Sequence, residues 1–423
     1  MRITFVSFFL LFSFVVFSQS DNTNSPYTRY GYGQLPDQAF ASQRGMGGIG
    51  YGLRNPQMIN PLNPASFSAV DSMTFMFDFG LKGQLALMSD GDYGKSRRFN
   101  GGLEYLALQI PLAKGLGMGV GIEPVSFVGY QYGDTVRELN SLVYKTYSGS
   151  GGLNKIYSSL SYNLFNRLSL GVNVGFIFGH ITHNRAASYT TDAYTITWPD
   201  SLSIRSLTYE AGLQYIQKLS RTSELVFGAV YAPKITTQAT FRTAEIRYDA
   251  GTGTIAGDPT YYSTRDSVFQ MPETYGIGIS YCKKDQLTLG ADFTYQKWAE
   301  AKFYNEMNRL SNRMKINVGG EFIPNVRGNN LLSRMRYRAG GYFANSYIID
   351  SNNSKYNEYG LSVGMGIPII ANRYYVNRYS FINLAFEYSR LTPQKPVSMS
   401  EQYFKLTFSY TFNELWFYKQ KLL

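Results

Sequence analysis

Apolar and polar side chains alternate with a period of two along most of this chain, from about residue 73 onwards. In the first such stretch the residues on one face are Met73, Phe75, Phe77, Phe79 and Leu81, and those between them, mostly polar or small, are Thr74, Met76, Asp78, Gly80 and Lys82. Residues 115–123 and 286–296 repeat the pattern. Because successive side chains of a strand point to opposite faces, the pattern predicts a series of β-strands with one apolar face each.

The predicted connections between these strands alternate in length. Short links are predicted at residues 113–114, 163–166, 218–222 and 283–285. Longer, polar connections are predicted at residues 89–98, 132–152, 182–203, 248–269 and 299–312. Two later turns, near residues 324–333 and 370–378, are less tight. Short turns on one side and long loops on the other are typical of a transmembrane barrel, whereas a soluble sandwich has no reason to separate its loops by length.

The strand count comes to about fourteen, and an even number of antiparallel strands is the rule for bacterial outer-membrane barrels. We therefore predict an all-β fold, a transmembrane antiparallel β-barrel of about 14 strands. The even count places both ends of the barrel on the periplasmic side. The alternative is a large secreted β-sandwich or propeller, in which the apolar strand faces would point inward.

The composition supports the barrel. Charged residues make up 16% and aromatic residues 16% of the 423 residues, whereas a soluble domain carries about 25% charged residues. The mean hydropathy of −0.22 is too polar for a helical membrane protein. Beyond the N-terminal segment, no stretch has the roughly 18 apolar residues of a membrane helix. A sheet with one face in lipid and aromatic girdles at both interfaces would have this composition.

The N-terminus has the features of a secretory signal peptide. Arg2 provides the positive charge, residues 3–17 form the apolar region, and small side chains predict cleavage after Ser18 or Ser20. No cysteine lies at the cleavage site, so this is not a lipoprotein signal. The predicted organisation is a signal peptide at 1–18, an N-terminal extension and hatch at 19–71, a barrel at 72–412 and a periplasmic tail at 413–423, in the cell outer membrane.

The basic excess gives a net charge of +11. The Lys and Arg residues are scattered, and no basic stripe or helix is present, which argues against nucleic-acid binding. In a barrel the excess charge would meet the anionic headgroups of outer-membrane lipid or an anionic substrate.

The chain has few residues suited to catalysis or metal binding. His180 and His183 are its only histidines and Cys282 is its only cysteine, and a metal site would need more ligands. No spacing of candidate residues indicates a catalytic site, although a hydrolase with a Ser–Asp or carboxylate pair remains an alternative. The Gly-rich stretch at 45–52 is not a phosphate loop, because no strand precedes it and no helix follows it. We predict neither an enzyme nor a cofactor.

The segment before the first strand is rich in Gly, Asn and Pro and has no usable period, so it is predicted to be turn and loop. It runs from Gly45 to Ala65. About fourteen strands enclose more space than side chains alone fill, so the lumen holds water, a ligand or a plug. On composition alone this segment is either a flexible tail or a folded plug.

The sequence GMGGIGYG…RNPQMINPLNPAS before the first strand resembles the hatch of the FadL-type long-chain fatty-acid transporters, a family that also includes TodX-like proteins. In that family a Gly-rich stretch runs into an Asn-Pro-Ala motif. The strand pair that begins with Pro272 and the stretch GSGGLNKIY at 149–157 are also similar to the family. The extension that carries SPYTRYGYG is longer than a minimal hatch. The hatch and gating positions that the resemblance implies are Gly45, Gly47, Gly48, Asn55, Pro56, Asn63, Pro64 and Ala65.

The resemblance implies diffusive, hatch-gated uptake of lipophilic small molecules, such as long-chain fatty acids, across the outer membrane. Arg336 and Arg338 are inward-facing candidates for a carboxylate anchor, and ordinary polar lining of the lumen is the alternative. Some relatives of this fold serve protein secretion or surface attachment, which gives a second hypothesis, a barrel that binds a secreted protein partner. Tyr-rich loops at 189–198 and 258–263 would anchor such an interface. A passive structural barrel is the third.

Overall fold

A computed structural model of the chain describes residues 23–89, 94–138, 141–189, 194–350, 353–370, 379–394 and 399–415. These residues form one antiparallel sheet of sixteen strand segments. The segments are β1 (Thr74–Ser89), β2 (Lys95–Ala113), β3 (Leu116–Glu138), β4 (Ser141–Leu164), β5 (Leu168–Tyr189), β6 (Tyr194–Lys218), β7 (Ser223–Ala232), β8 (Ile235–Asp249), β9 (Thr260–Met271), β10 (Thr274–Lys283), β11 (Leu287–Gln296), β12 (Arg313–Phe322), β13 (Arg336–Asn345), β14 (Tyr356–Ile370), β15 (Tyr379–Pro393) and β16 (Ser400–Leu415). Within the described part of the chain, no helix has the length and apolar character needed to cross a bilayer.

The sixteen segments make a closed barrel of fourteen strands. β7 and β8 both pair with β6, so they are two halves of one strand. β9 pairs with β8 and β10 pairs with β7, so they form the next strand. The breaks fall at Pro233 and Pro272, where the missing N–H interrupts the ladder. β1 pairs with β16 from Thr74 opposite Leu415 onwards, which closes the barrel. The predicted antiparallel barrel of about fourteen strands is confirmed.

The two faces of the wall match a barrel in lipid. On β12, Met314, Ile316 and Val318 are exposed, and they alternate with residues that face the lumen. Among the latter, Asn317 and Glu321 are buried. Apolar residues outside and polar residues inside are the reverse of a soluble sandwich, so the outer face suits lipid.

Short turns and long connections lie at opposite ends of the barrel, as predicted, and the two ends are named here the turn end and the loop end. The predicted long loops at 132–152 and 182–203 are wrong, and the one predicted at 248–269 is strand from Thr260 onwards. Residues up to Glu138 and from Ser141 are strand, and so are residues up to Tyr189 and from Tyr194. These parts of the hairpins are rich in Tyr, Ser and Thr on both faces, so they lack the apolar alternation that marks a strand in lipid.

The ends of the chain differ from the prediction in one described detail. β16 continues to Leu415, past the predicted end of the barrel at 412. The predicted signal peptide at 1–18 and residues 416–423 of the predicted tail lie outside the described residues.

Residues 23–72 precede β1 and lie inside the lumen as a folded plug. They contain three short helices, at Pro26–Arg29, Ala41–Arg44 and Pro64–Ala69, joined by turns. Apolar side chains of this segment are fully buried, including Phe40 and Met46. The segment is therefore a plug rather than a flexible tail. We name residues 23–36 the extension and residues 37–72 the hatch.

Candidate functional site

The glycines of the hatch permit a close approach to the barrel wall. Gly47 and Gly48 have φ angles of +68° and +79°, in the left-handed region that favours glycine. A Cβ on Gly47 would lie 2.6 Å from the nitrogen of Gly341 and 2.7 Å from the oxygen of Val318. The Gly47 N–H donates to the hydroxyl of Ser362 at 2.9 Å. These glycines thus bring the backbone of the hatch against β12 to β14.

Gly45, two residues earlier in the chain, also approaches the wall closely. A Cβ added to Gly45 would lie 3.1 Å from the Cα of Gly364 on β14 and 3.4 Å from the Cβ of Arg338. Gly45 and Gly364 therefore touch backbone to backbone, and both positions need a residue without a side chain.

One inward carboxylate on β11 holds the middle of the hatch. Asp292 accepts hydrogen bonds from the N–H groups of Gly50 at 2.5 Å and Tyr51 at 2.9 Å. The hydroxyls of Tyr51 and Thr294 are 2.9 Å apart. Two backbone N–H groups of a loop without regular structure are thereby satisfied by the wall.

The Asn-Pro-Ala motif begins the last helix of the hatch and fixes it to the wall. The side-chain oxygen of Asn63 accepts the N–H of Ala65 at 3.0 Å, which is an N-cap, and Pro64 occupies the first helical position. The side-chain nitrogen of Asn63 donates to the carbonyl of Leu213 on β6 at 3.2 Å. A Cβ on Gly212 would lie 2.2 Å from the Asn63 side-chain oxygen, so the motif and this wall glycine fit together.

The second motif, Asn55-Pro56, forms a turn at the turn end of the barrel. The side-chain oxygen of Asn55 accepts the N–H of Gln57 at 2.9 Å, and Pro56 is exposed. The two predicted motifs therefore occupy different places. Asn63 to Ala65 lie against β5 and β6, while Asn55 and Pro56 line an open cavity.

Buried charges lock the hatch to the wall. The guanidinium of Arg44 lies 2.8 Å from the carboxylate of Glu104 on β2, and these side chains are 4% and 2% exposed. Asp37 forms an ion pair at 2.7 Å with Lys315 on β12. Burial alone would raise the pKa of Asp37, but the positive charges of Lys315 and Arg44 outweigh it and lower that pKa to about 2.

Sequence reasoning missed Arg44 and Asp37, although both are charged residues in a segment otherwise dominated by glycine and apolar side chains. The presence of these charges in such a segment was the signal that could have identified them as contacts to the wall. Their partners on β2 and β12 are far along the chain, and the sequence alone does not pair them.

The two predicted ligand anchors are engaged by groups of the protein itself. Arg338 donates to Glu321 at 2.8 Å and to Asn383 at 2.8 Å. Arg336 lies 3.6 Å from the same Glu321 carboxylate and donates to the side chain of Gln57 in the hatch. Both arginines line the lumen, and Arg336 links the wall to the hatch.

The extension occupies the apolar half of the lumen near the loop end. Tyr32 is 1% exposed and packs against aromatic rings of the loop half, with centroid distances of 5.0 Å to Phe303 and 5.7 Å to Trp298. Beside it, Gln34 pairs with Phe127 on β3 through two backbone hydrogen bonds of 2.8 and 2.9 Å. The extension thus forms one isolated β-bridge with the inside of the wall, next to the β3 bulge at Pro124.

A protein-family model named BamG matches residues 1–422 of the chain. The chain belongs to the BamG family. No curated protein matches the sequence.

Solved structures similar to this BamG-family protein are FadL-type barrels. The toluene transporter TodX of P. putida aligns with a TM-score of 0.60 at 13% identity, covering 90% of this chain and 100% of that chain. The monoaromatic hydrocarbon channel CymD aligns with a TM-score of 0.56 at 15% identity, covering 88% and 97%. A Pseudomonas aeruginosa FadL homologue gives 0.56 at 13% identity, covering 89% and 99%. These identities establish the fold alone.

Two of the cavities that the described residues form beside the plug of this BamG-family barrel bear on its function. One, of about 850 Å³, opens at the turn end below the hatch. The other, of about 220 Å³, lies between the hatch and the wall and is lined in part by Lys155, Glu210 and Asp292. Charged side chains line part of each cavity, and apolar side chains line the rest, among them Leu62, Ile235 and Trp298 in the smaller one.

The histidines and the cysteine lie on strands of the wall. The hydroxyl of Tyr130 and Nδ1 of His183 are 2.8 Å apart, and His180 is exposed. Cys282 is half-buried on β10, and its sulfur accepts a hydrogen bond from the hydroxyl of Thr288 at 3.8 Å. Within the described ranges, no group of three or more His, Cys, Asp or Glu side chains is arranged to hold a metal ion.

Proposed function

We propose that this protein is a partner-binding component of the outer membrane with a Bam-associated role, in which the barrel serves as a plugged scaffold. The observation that supports this most is the lumen itself, which is filled by the chain's own extension and hatch and locked by buried ion pairs. The family name supports the Bam association. An open pore has no support from the packing of the described residues.

Opening the lumen would break several buried contacts together. The ion pairs of Arg44 with Glu104 and of Asp37 with Lys315, and the hydrogen bonds to Asp292, would all be lost. Removing one partner of a buried ion pair costs about 3–5 kcal/mol. A ligand shifts the equilibrium between a closed and an open hatch only by its difference in affinity for the two states. A small apolar molecule would therefore have to supply most of the free energy of these broken contacts through one binding site.

Uptake of hydrophobic molecules such as long-chain fatty acids is the second candidate function. The fold shared with hydrocarbon channels favours it, and so does the apolar cluster around Tyr32. In this case the hatch positions from Gly45 to Ala65 would act as the gate, and Arg336 and Arg338 would release Glu321 to anchor a carboxylate. Tyr32 would also have to leave its aromatic neighbours to make room for the ligand.

The experiment that separates the two functions is purification of the tagged protein from native outer membranes in mild detergent. Mass spectrometry then identifies both the proteins and the small molecules that are retained. The proposal expects Bam subunits in amounts comparable to the barrel and no specific lipophile. A bound fatty acid or aromatic hydrocarbon without any protein partner would contradict the proposal and favour uptake.

A further inference from the structure

We propose that the turn end of this barrel binds an acidic segment of a partner protein, in the cavity of about 850 Å³ between the hatch and the turns. The inference rests on the partner-binding function proposed above and specifies the place and chemistry of the contact. The cavity has a size within the range of about 300–1,000 Å³ that is typical of ligand sites.

The cavity carries a large excess of positive charge. Eight basic and four acidic side chains line it. One of the acids, Glu321, is already engaged by Arg336 and Arg338. The basic residues that belong to the turns are Lys218, Arg221, Lys283, Lys284, Arg327 and Arg334. A concave surface with an excess of one sign of charge raises the local concentration of a partner of the opposite sign.

These turn residues have no carboxylate partner among the residues that the structure describes, since none of the salt bridges there includes them. The Nε of Arg334 is buried and has no hydrogen-bond partner in the described part of the chain. A buried donor without a partner costs free energy comparable to a lost hydrogen bond, and an incoming carboxylate would satisfy it. Elsewhere in the lumen, Arg44, Lys155 and Lys315 are each paired with a carboxylate.

Hydrogen bonds between neighbouring turns fix this surface in place. The N–H of Lys284 donates to the carbonyl of Thr222 at 2.8 Å, and the N–H of Ile323 donates to Gln286 at 2.8 Å. The hydroxyl of Ser220 accepts the N–H groups of Thr222 and Ser223 within its own turn. The backbones of the three turns are therefore held together, which fixes the positions from which their cationic side chains extend and lowers the entropy cost of binding.

The position of the cavity favours a protein segment over lipid. Lipid headgroups surround the outside of a barrel, but this cavity lies inside the ring of turns and its upper wall is the hatch, at Arg54 and Gln57. An extended acidic segment of a periplasmic protein can enter along the barrel axis. Carboxylates and arginine also form bidentate hydrogen bonds.

The test uses the full-length barrel in detergent and a fluorescein-labelled poly-glutamate peptide as the probe. Lys283→Gln/Lys284→Gln removes two exposed charges from the cavity. Lys114→Gln/Arg167→Gln removes two exposed charges from other turns at the same end, outside the cavity. Fluorescence anisotropy should show binding that is about fivefold weaker for the first variant, unchanged for the second, and weakened for the wild type by added salt.

Equal affinities for the two variants would overturn the proposal, and so would the absence of peptide binding to the wild type. Binding of anionic lipid vesicles instead of the peptide, with the same loss in Lys283→Gln/Lys284→Gln, would assign the cavity to lipid. Purification from outer membranes separates the proposed Bam association from the proposed binding site in the cavity. Bam subunits retained equally by both variants would overturn the cavity and leave the Bam association standing, whereas no Bam subunits on the wild type would overturn the association itself.

Discussion

Arg44 lies in the middle of the plug and is surrounded by groups that accept its hydrogen bonds. Besides Glu104, its guanidinium donates to the carbonyls of Asp37 at 2.6 Å and Ala39 at 2.7 Å. Burial alone would lower the pKa of Arg44, but the charges of Glu104, Glu387 and Asp37 raise it. This one side chain therefore holds the fold of the hatch and its attachment to the wall together.

Replacing Arg44 should lower the stability of the whole barrel. Arg44→Met leaves Glu104 with Lys82 as its remaining cation, 3.2 Å away, and should reduce the free energy of unfolding by about 3 kcal/mol. Urea unfolding in detergent, followed by the gel shift of the folded barrel, measures this. Arg309→Met, in an exposed pair with Glu306 on a loop, is the control and should change stability little. Equal midpoints for the two variants would contradict the role of Arg44.

Asp37 should make the plug sensitive to acid. Its folded-state pKa of about 2 is below the ordinary value of 3.8. Its contribution is therefore fully present above about pH 4 and is lost as the pH falls towards 2. Unfolding measured across this window should show an acid-dependent loss of about 2 kcal/mol that Asp37→Asn abolishes. An identical pH profile in the variant would contradict this assignment.

At the scale of elements, the hatch fits the wall because glycines on both sides let backbones approach. Gly212 on β6 meets Asn63, and Gly228 on β7 meets the carbonyl of Tyr51, 1.9 Å from where a Cβ would lie. These wall positions face the lumen, where a barrel strand ordinarily carries polar side chains.

A methyl group at Gly212 should loosen the hatch without breaking the barrel. Gly212→Ala places a carbon 2.2 Å from the Asn63 side-chain oxygen, so the Asn-Pro-Ala turn has to move. Limited proteolysis should then cut the hatch faster than in the wild type. Gly83→Ala on β1 is the matched control, because its nearest neighbour, a ring carbon of Phe99, would lie 3.5 Å away. A hatch equally protected in both variants would contradict this fit.

Alternation of side chains predicts the elements of the wall well, because lipid demands an apolar outer face on every strand. The pattern fails to predict strands outside the apolar band of the membrane, because no apolar outer face is required there. The upper parts of β3 to β6 leave the apolar band, so the pattern places loops at 132–152 and 182–203 where the structure has strands. The Asn-Pro-Ala motif is recognisable in the sequence by its resemblance to a hatch, but the short helix that it begins is not predicted. Its contact with Gly212 and the pairing of Gln34 with Phe127 depend on barrel closure, which local sequence does not encode.

At the scale of the whole molecule, the barrel, hatch and extension form one packed unit. The apolar half of the lumen is filled by Tyr32 and its neighbours, the middle by the ion pairs of Arg44 and Asp37, and the remaining large cavity faces the turn end. This arrangement suits a scaffold that presents surfaces to partners more than a conduit. If the barrel acts as such a scaffold, the hatch stays in place while the protein works, and this is the central claim about its function.

A cross-link between hatch and wall tests that claim most directly. The hydroxyls of Ser68 in the hatch and Ser169 on β5 are 3.1 Å apart, close enough for Ser68→Cys/Ser169→Cys to form a disulfide in a Cys282→Ser background. The measurement is the amount of Bam subunits that co-purifies with the oxidised, cross-linked barrel relative to the reduced one. If the hatch stays in place, the amounts are equal in both states. Loss of the partners on oxidation and their recovery on reduction would show that the hatch must move, and would contradict it.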